Sequence, residues 1–199
     1  MTPTPDNVHV VLLAAGVSRR FGGDKRCAVL PTGRTLLQQA CHVLETSGLR
    51  YSIACRPDDP VVRSYPQTLP LVESANGMGA SIAAAVARIG SAPSAIMVLP
   101  ADLPLLRAST LLAVAEHSDL DRIVRPSNQG QYGHPVSFGR QFFRDLMQLG
   151  GEGGARSVID AHPDQLVALA VSDPGILCDI DTPRALRELR LSQFPAEHR

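Results

Sequence analysis

Apolar residues follow two alternating rhythms along the first two thirds of the chain. Val8–Leu13 is a β-branched and aliphatic run that ends in small residues, as a strand buried on both faces does. Residues 51–55, 69–72 and 95–99 are further strand candidates, the last being the most hydrophobic. Between them apolar positions recur every three or four residues. Leu36, Leu37, Ala40, Cys41 and Leu44 follow a Thr35/Gln38 capping box and stop at Gly48. Met78, Ile82, Val86 and Ile89 make one stripe over a helix at about 79–89, and 109–117 predicts another. Strand and helix in this alternation predict an α/β fold, a three-layer α/β/α sandwich around a mostly parallel, Rossmann-like sheet. The site of such a sheet lies at the carboxyl ends of its strands.

The last third is less regular. Residues 122–125 and 136–138 read as strands around a glycine-containing loop, 141–149 as helical and 166–171 as a strand. Thr182 and Pro183 make an N-cap and first-turn pair for a final helix carrying Ala185, Leu186 and Leu189. No repeat, low-complexity tract or linker breaks the chain, so residues 1–199 are expected to form one domain, with 1–7 and 192–199 as flexible tails.

Composition narrows the function classes. Hydrophobic residues make up 44% of the chain, enough for a substantial core, and Lys plus Arg and Asp plus Glu both number 19. With no global positive field, nucleic acid and anionic membrane surfaces are not expected partners, and any anion site must be local. Cys27, Cys41, Cys55 and Cys178 lack the short paired spacing of a zinc or redox motif and read as reduced thiols. No apolar stretch approaches a membrane span and the start does not resemble a secretory signal, so the expected compartment is the cytoplasm.

The candidate chemistry begins where the first strand ends. Leu13, Ala14, Ala15 and Gly16 are small or apolar and let the backbone approach a ligand. Ser18, Arg20, Gly22, Gly23 and Lys25 then supply glycines, a hydroxyl and cations suited to a triphosphate. A Walker loop is excluded by spacing, and the dinucleotide fingerprint GxGxxG is absent, which disfavours an oxidoreductase. Asp102 ends the most hydrophobic strand, where a carboxylate is not needed for packing.

The segment Leu13-Ala14-Ala15-Gly16-x-Ser18-x-Arg20-x-Gly22 with Lys25 resembles the signature of nucleotidyltransferases related to molybdenum cofactor cytidylyltransferase, a branch of the nucleotide-diphospho-sugar transferase fold. Gly77-Met78-x-x-Ser81, Ala101-Asp102-Leu103-Pro104, Gly133-His134-Pro135, Gly151-Glu152-Gly153-Gly154-Ala155-Arg156 and Asp179-Ile180-Asp181-Thr182-Pro183 are similar to its other segments. The resemblance implies a Mg²⁺-dependent transfer of CMP from CTP to the phosphate of molybdopterin or its molybdenum form, with release of pyrophosphate. Asp102 and Asp181 would hold the metal, with Asp179 the rival for the second position. Lys25, Arg20 and Asp102 would be catalytic. Leu13, Ala14, Ala15, Gly16, Ser18, Arg20, Lys25, Gly77 and Ser81 would bind nucleotide, and His134 and Arg156 the acceptor, with Arg125 and Gln131 as further candidates. A molybdenum hydroxylase or its chaperone would receive the product.

Alternatives stay open. Ala15 favours CTP, because the guanylyl members carry Gly there, yet Gly22-Gly23-Asp24-Lys25 looks more like the guanylyl version, so GTP or a sugar-type acceptor is the competing assignment. A noncatalytic molybdenum-cofactor chaperone on the same fold is the reading from another class. Ser81 either contacts base or ribose or packs toward the core. Arg26 and Cys27 interrupt the aliphatic residues usual after the lysine, and Arg26 is expected to be solvated rather than an extra phosphate contact.

Overall fold

The computed structural model of the protein describes residues 7–198 apart from Val17, Val61 and Ser64. Its strands are β1 (Val8–Leu13), β2 (Arg50–Cys55), β3 (Thr68–Pro70), β4 (Ala95–Pro100), β5 (Ile123–Asn128), β6 (Gln131–Tyr132), β7 (Val136–Gly139) and β8 (Leu166–Ala170). Its helices are α1 (Leu36–Ser47), α2 (Met78–Ile89), α3 (Ala108–His117), α4 (Phe143–Leu146), α5 (Arg156–Ala161) and α6 (Pro183–Glu188). All eight strands form one sheet in the order β3-β2-β1-β4-β7-β5-β6. β7 and β6 take successive stretches of one edge of β5, and β8 pairs with the other. The sheet is mostly parallel: β1–β2, β1–β4, β2–β3 and β5–β8 run parallel, and the three pairings that involve β6 and β7 run antiparallel.

The aliphatic runs become central strands because both faces of the sheet are covered. On one face Val8, Val10, Leu12, Met97 and Leu99 pack against Leu37, Cys41 and Leu44 of α1 and Leu111 and Val114 of α3. On the other, Val11, Ile96 and Val98 meet Ile82 and Val86 of α2, Phe143 and Leu146 of α4 and Val158 of α5. The expected three layers are therefore present. No helix among the described residues is long and apolar enough to cross a membrane.

The local signals hold where they are strongest. Thr35 and Gln38 make the reciprocal capping box at α1, closed by Gly48 at φ 68°, and the Thr182 hydroxyl accepts from the Ala185 N–H at 3.2 Å. Differences arise where tertiary contacts decide. The stretch expected as a strand at 69–72 is only Thr68–Pro70, and Val72, 70% exposed, opens a 3₁₀ turn instead. The helix expected at 141–149 is a 3₁₀ turn, Arg140–Phe142, followed by one turn of α4, because burial of Phe142, Phe143 and Leu146 fixes the segment before glycines end it. Of the tails expected to be flexible, residues 1–6 lie outside the described residues. The one after Leu191 returns to the body of the protein. Phe194 is buried against Leu30, Leu36, Ile180 and Leu189, and the Glu197 carbonyl lies 3.1 Å from His42 Nε2.

Candidate active site

The chain leaves β1 toward β2 on one side, while β4 adds on the other, so β1 and β4 flank the point where strand order reverses. Leu13 and Pro100 are paired at their carboxyl ends. This is where an open α/β sheet leaves a crevice. The Ala14 N–H still bonds the Ala54 carbonyl at 2.9 Å, and the chain then folds into two 3₁₀ turns. The first, Arg19–Phe21, lies between Ser18 at φ 50° and Gly22 at φ 75°. The second, Lys25–Cys27, is capped by Asp24, whose carboxylate accepts from the Arg26 N–H at 3.0 Å. Together they bring Arg20 and Lys25 over the strand ends.

Two carboxylates meet these cations. Lys25 Nζ donates to Asp102 Oδ2 at 2.6 Å and to Asp181 Oδ1 at 3.0 Å, and an Arg20 guanidinium nitrogen lies 2.7 Å from Asp181 Oδ2. Asp181 is held in register by the preceding residue, since the Ile180 N–H donates to the Asp102 carbonyl at 2.9 Å. Burial disfavours the Lys25 charge, but Asp102 and then Asp181 hold its pKa above the ordinary lysine value. Burial likewise pushes the Asp181 carboxyl up, and Lys25 and Arg20 outweigh it, leaving Asp181 below the usual carboxylate range. Asp179 differs: burial first, then the neighbouring Asp181 and Asp102, raise its carboxyl above the usual carboxylate range.

Among the described residues no three His, Cys, Asp or Glu side chains gather into a metal-holding group. Asp102 and Asp181 nevertheless fit Mg²⁺, because this ion is commonly held by one or two carboxylates and completes its shell with water and substrate phosphates. Both already meet one shared positive charge, the Lys25 ammonium, and Asp181 also meets Arg20.

The strand ends, the cationic turns and the start of α2 enclose a cavity of about 500 Å³. Leu13, Ala14, Ala15, Gly16, Ser18, Arg20, Lys25, Gly77, Ser81, Asp102 and Asp181, all singled out from sequence, line it. Ser74, Met78 and Glu152 line it too; sequence reasoning gave Ser74 and Glu152 no role, and it expected Met78 on the apolar stripe of α2, whereas that side chain is 44% exposed. Glu152 sits inside a recognised motif, but nothing in its spacing points toward the cavity. Ser81 is buried, and its hydroxyl donates to the Gly77 carbonyl at 3.0 Å, leaving the oxygen lone pairs for a ligand.

The glycine pattern around α2 has a steric cause that the separate motifs hide. Gly77, at φ 105°, and Gly79 lie directly against the Gly150–Gly151 backbone, and the Gly79 N–H donates to the Gly151 carbonyl at 2.8 Å. A Cβ on Gly77 would stand 2.5 Å from the Gly151 oxygen. Gly77→Ala is expected to cost about 2 to 4 kcal/mol from backbone strain and overpacking, a fall in Tm of roughly 5 to 15 °C. Gly150→Ala, whose Cβ would meet open space, is expected to leave Tm nearly unchanged. Equal Tm values for the two variants would contradict the docking.

The residues expected on the acceptor side do not line this cavity. His134 Nδ1 is buried without a hydrogen-bond partner; burial, then Arg125, lower its pKa, and Asp102 is near enough to act in the opposite direction. Arg125 sits 5.2 Å above the Tyr132 ring and donates to the Gly133 carbonyl at 3.2 Å. Arg156 is 86% exposed at the start of α5 and pairs with Asp160 at 3.6 Å, while Gln131 is exposed on β6. Arg26, expected to be solvated, is instead buried beneath the loop that follows β1, because two carboxylates and a carbonyl receive its guanidinium.

No curated protein matches the sequence. Among solved structures, Rv0371c from Mycobacterium tuberculosis is 25% identical with a TM-score of 0.76, covering 93% of this chain and 100% of that one. A structure of Rv0371c in complex with manganese gives 24% and 0.75 over 92% and 100% of the two chains. Molybdopterin-guanine dinucleotide biosynthesis protein A from Archaeoglobus fulgidus is 20% identical at a TM-score of 0.65, over 90% of this chain and 95% of that one. The profile of the MobA-like NTP transferase domain matches residues 10–166. With its sheet, switch-point cavity and cationic loop in that arrangement, the chain belongs to the MobA-like NTP transferase domain family and is a nucleotidyltransferase.

Proposed function

We infer that the whole chain acts as one Mg²⁺-dependent domain that transfers CMP from CTP to the phosphate of a molybdopterin-type acceptor, releasing pyrophosphate. The observation that carries this reading is the approach of Asp102 and Asp181 to one cation beside Arg20, at the mouth of the loop that follows β1. An acceptor phosphate oxygen forms a bond to the α-phosphorus of the triphosphate as the bond from that phosphorus to the bridging oxygen breaks. The monoester is largely ionised near neutral pH, with a second pKa of about 6, so no strong general base is required. The work left to the protein is alignment and charge stabilisation. Asp102 and Asp181 would hold Mg²⁺, which when bound supplies positive charge to the triphosphate. Lys25 and Arg20 offset the charge that develops on the bridging oxygen and on pyrophosphate. Backbone N–H groups of Ala15, Gly16 and Ser18 receive phosphate oxygens, since that of Ala14 is taken by the Ala54 carbonyl, and Gly77 and Ser81 border the base and ribose.

Ala15 favours the smaller base: it is buried and lines the cavity, and a Cβ there would narrow the slot for a base. His134, Arg125 and Arg156 are the groups for the acceptor, whose product would pass to a molybdenum hydroxylase or its chaperone. The setting is taken to be the cytoplasm, in keeping with four free thiols. A noncatalytic carrier is the weaker reading, since a carrier has no need of two carboxylates on one cation. Pyrophosphate release, measured with each nucleoside triphosphate, Mg²⁺ and molybdopterin, tests the proposal. CTP is expected to turn over at least about tenfold faster than GTP, a discrimination one Cβ in a binding slot can supply. Equal turnover would overturn the base assignment, and turnover with none of the nucleotides would overturn the reaction.

A further inference from the structure

The side chain next to Lys25 is neither a phosphate contact nor a solvated charge. All five N–H donors of Arg26 are taken up inside the protein. Nε donates to Asp24 Oδ1 at 2.8 Å; Nη2 donates to Asp24 Oδ2 at 2.6 Å and Asp59 Oδ1 at 3.2 Å; Nη1 donates to the Ala14 carbonyl at 2.5 Å and to Asp59 Oδ2. Arg26 is 4% exposed and Asp59 3%. The guanidinium thus joins the exit of β1 and the turn that carries Lys25 to the turn after β2, 33 positions further on.

The need for such a tie is visible in the loop itself. Lys25 and Arg26 are consecutive in one 3₁₀ turn and point apart, one toward the paired carboxylates, the other into the interior. On the far side the turn is anchored to α1, through the Leu36 N–H on the Ala28 carbonyl and the bridge between Val29 and Thr35. On the near side stand Gly22 and Gly23, exposed, with open space where a Cβ would be. Glycines there supply no packing and leave the backbone the most conformational freedom. Arg26 therefore provides the fixed point on that side of Lys25.

We propose that Arg26 is a positioning residue for nucleotidyl transfer, clamping the Ala14 exit of β1 to Asp24 and Asp59 and so holding the Lys25 ammonium in line with the two carboxylates. The proposal rests on the role given to Lys25 under the proposed function.

Removing Arg26 alone leaves Asp59 buried without its counter-charge, which threatens folding. The test therefore uses Arg26→Met with Asp59→Asn, which removes the charge and its partner together, and separately Arg26→Lys, which keeps a cation but lacks the planar fork that reaches three partners. Each is combined with Lys25→Met in a double-mutant cycle, with pyrophosphate release from the best nucleotide as the readout and thermal unfolding as the folding control. Both backgrounds are expected to fold and to lose at least about tenfold in kcat. In the wild-type background Lys25→Met is expected to cost about a hundredfold, and in each Arg26 background less than about tenfold, because Lys25 is already out of place. If Lys25→Met costs the same factor in every background, or if either folded Arg26 variant turns over at the wild-type rate, the positioning role is overturned. If Lys25→Met is neutral in the wild-type protein, the fault lies in the catalytic role of Lys25.

Discussion

Asp102→Asn is expected to lower turnover by at least about a hundredfold while the protein stays folded. The amide keeps the size of the side chain and one oxygen toward Lys25, so packing at the end of β4 changes little. What it loses is the charge that a divalent ion requires. Asp102 is well placed to hold such an ion. It stands one residue beyond Ala101, itself buried at the end of β4, and its carbonyl receives the Ile180 N–H that brings Asp181 alongside. Those backbone contacts survive the substitution, so thermal unfolding is expected to shift by only a few degrees. Pyrophosphate release and a melting curve on the same preparation check both halves. Unaltered turnover would remove Asp102 from the reaction.

Lys25→Met is expected to act on two quantities in opposite directions. Turnover falls by about a hundredfold, the usual loss when one preorganised donor is removed from the developing charge. Binding of a divalent ion without nucleotide becomes tighter, by about tenfold or roughly 1.4 kcal/mol. The second effect follows from the contacts of Lys25 with Asp102 and Asp181 at 2.6 and 3.0 Å. On the proposed reading, the ammonium neutralises, in the absence of nucleotide, the carboxylates that would hold the metal, so an incoming ion would compete with it. A triphosphate would offer the ammonium another anion and so make metal and nucleotide binding cooperative. Calorimetric titration of Mn²⁺ into the wild-type and variant proteins, with and without a non-hydrolysable CTP analogue, separates these effects. An unchanged metal affinity in the nucleotide-free variant would show that Lys25 does not compete for the site.

The parts of this molecule that are legible in the sequence are those governed by neighbours along the chain. β1 and β4 are aliphatic on both faces and read as buried strands; the Thr35/Gln38 box and the Thr182-Pro183 pair announce two helix starts. The loop from Leu13 to Lys25 and the carboxylate at the end of β4 are legible as candidate chemistry because glycines, cations and an acid gathered at strand ends are not what packing asks for. Asp181 comes from its resemblance to a known signature, and choosing it over Asp179 needs the contact with Lys25. Arg26 defies the sequence reading for a definite reason: beside a lysine in a glycine-rich loop an arginine looks solvated, and its partner Asp59 lies 33 positions away, with no periodicity to connect them. The docking of Gly77 and Gly79 on Gly150 and Gly151 is hidden in the same way, two familiar motifs whose glycines answer to each other. Phe194 is lost among polar residues near the chain end, yet one aromatic suffices to return that end to the core.

Direct observation of the ion offers the sharpest test of the central claim. Mn²⁺ bound in the presence of a non-hydrolysable CTP analogue, counted by electron paramagnetic resonance, is expected to fill one tight site in the wild-type protein and to be lost from Asp102→Asn and Asp181→Asn alike. Retention of that site in either variant, with nucleotide still bound, would contradict the pairing of these two carboxylates around a single metal.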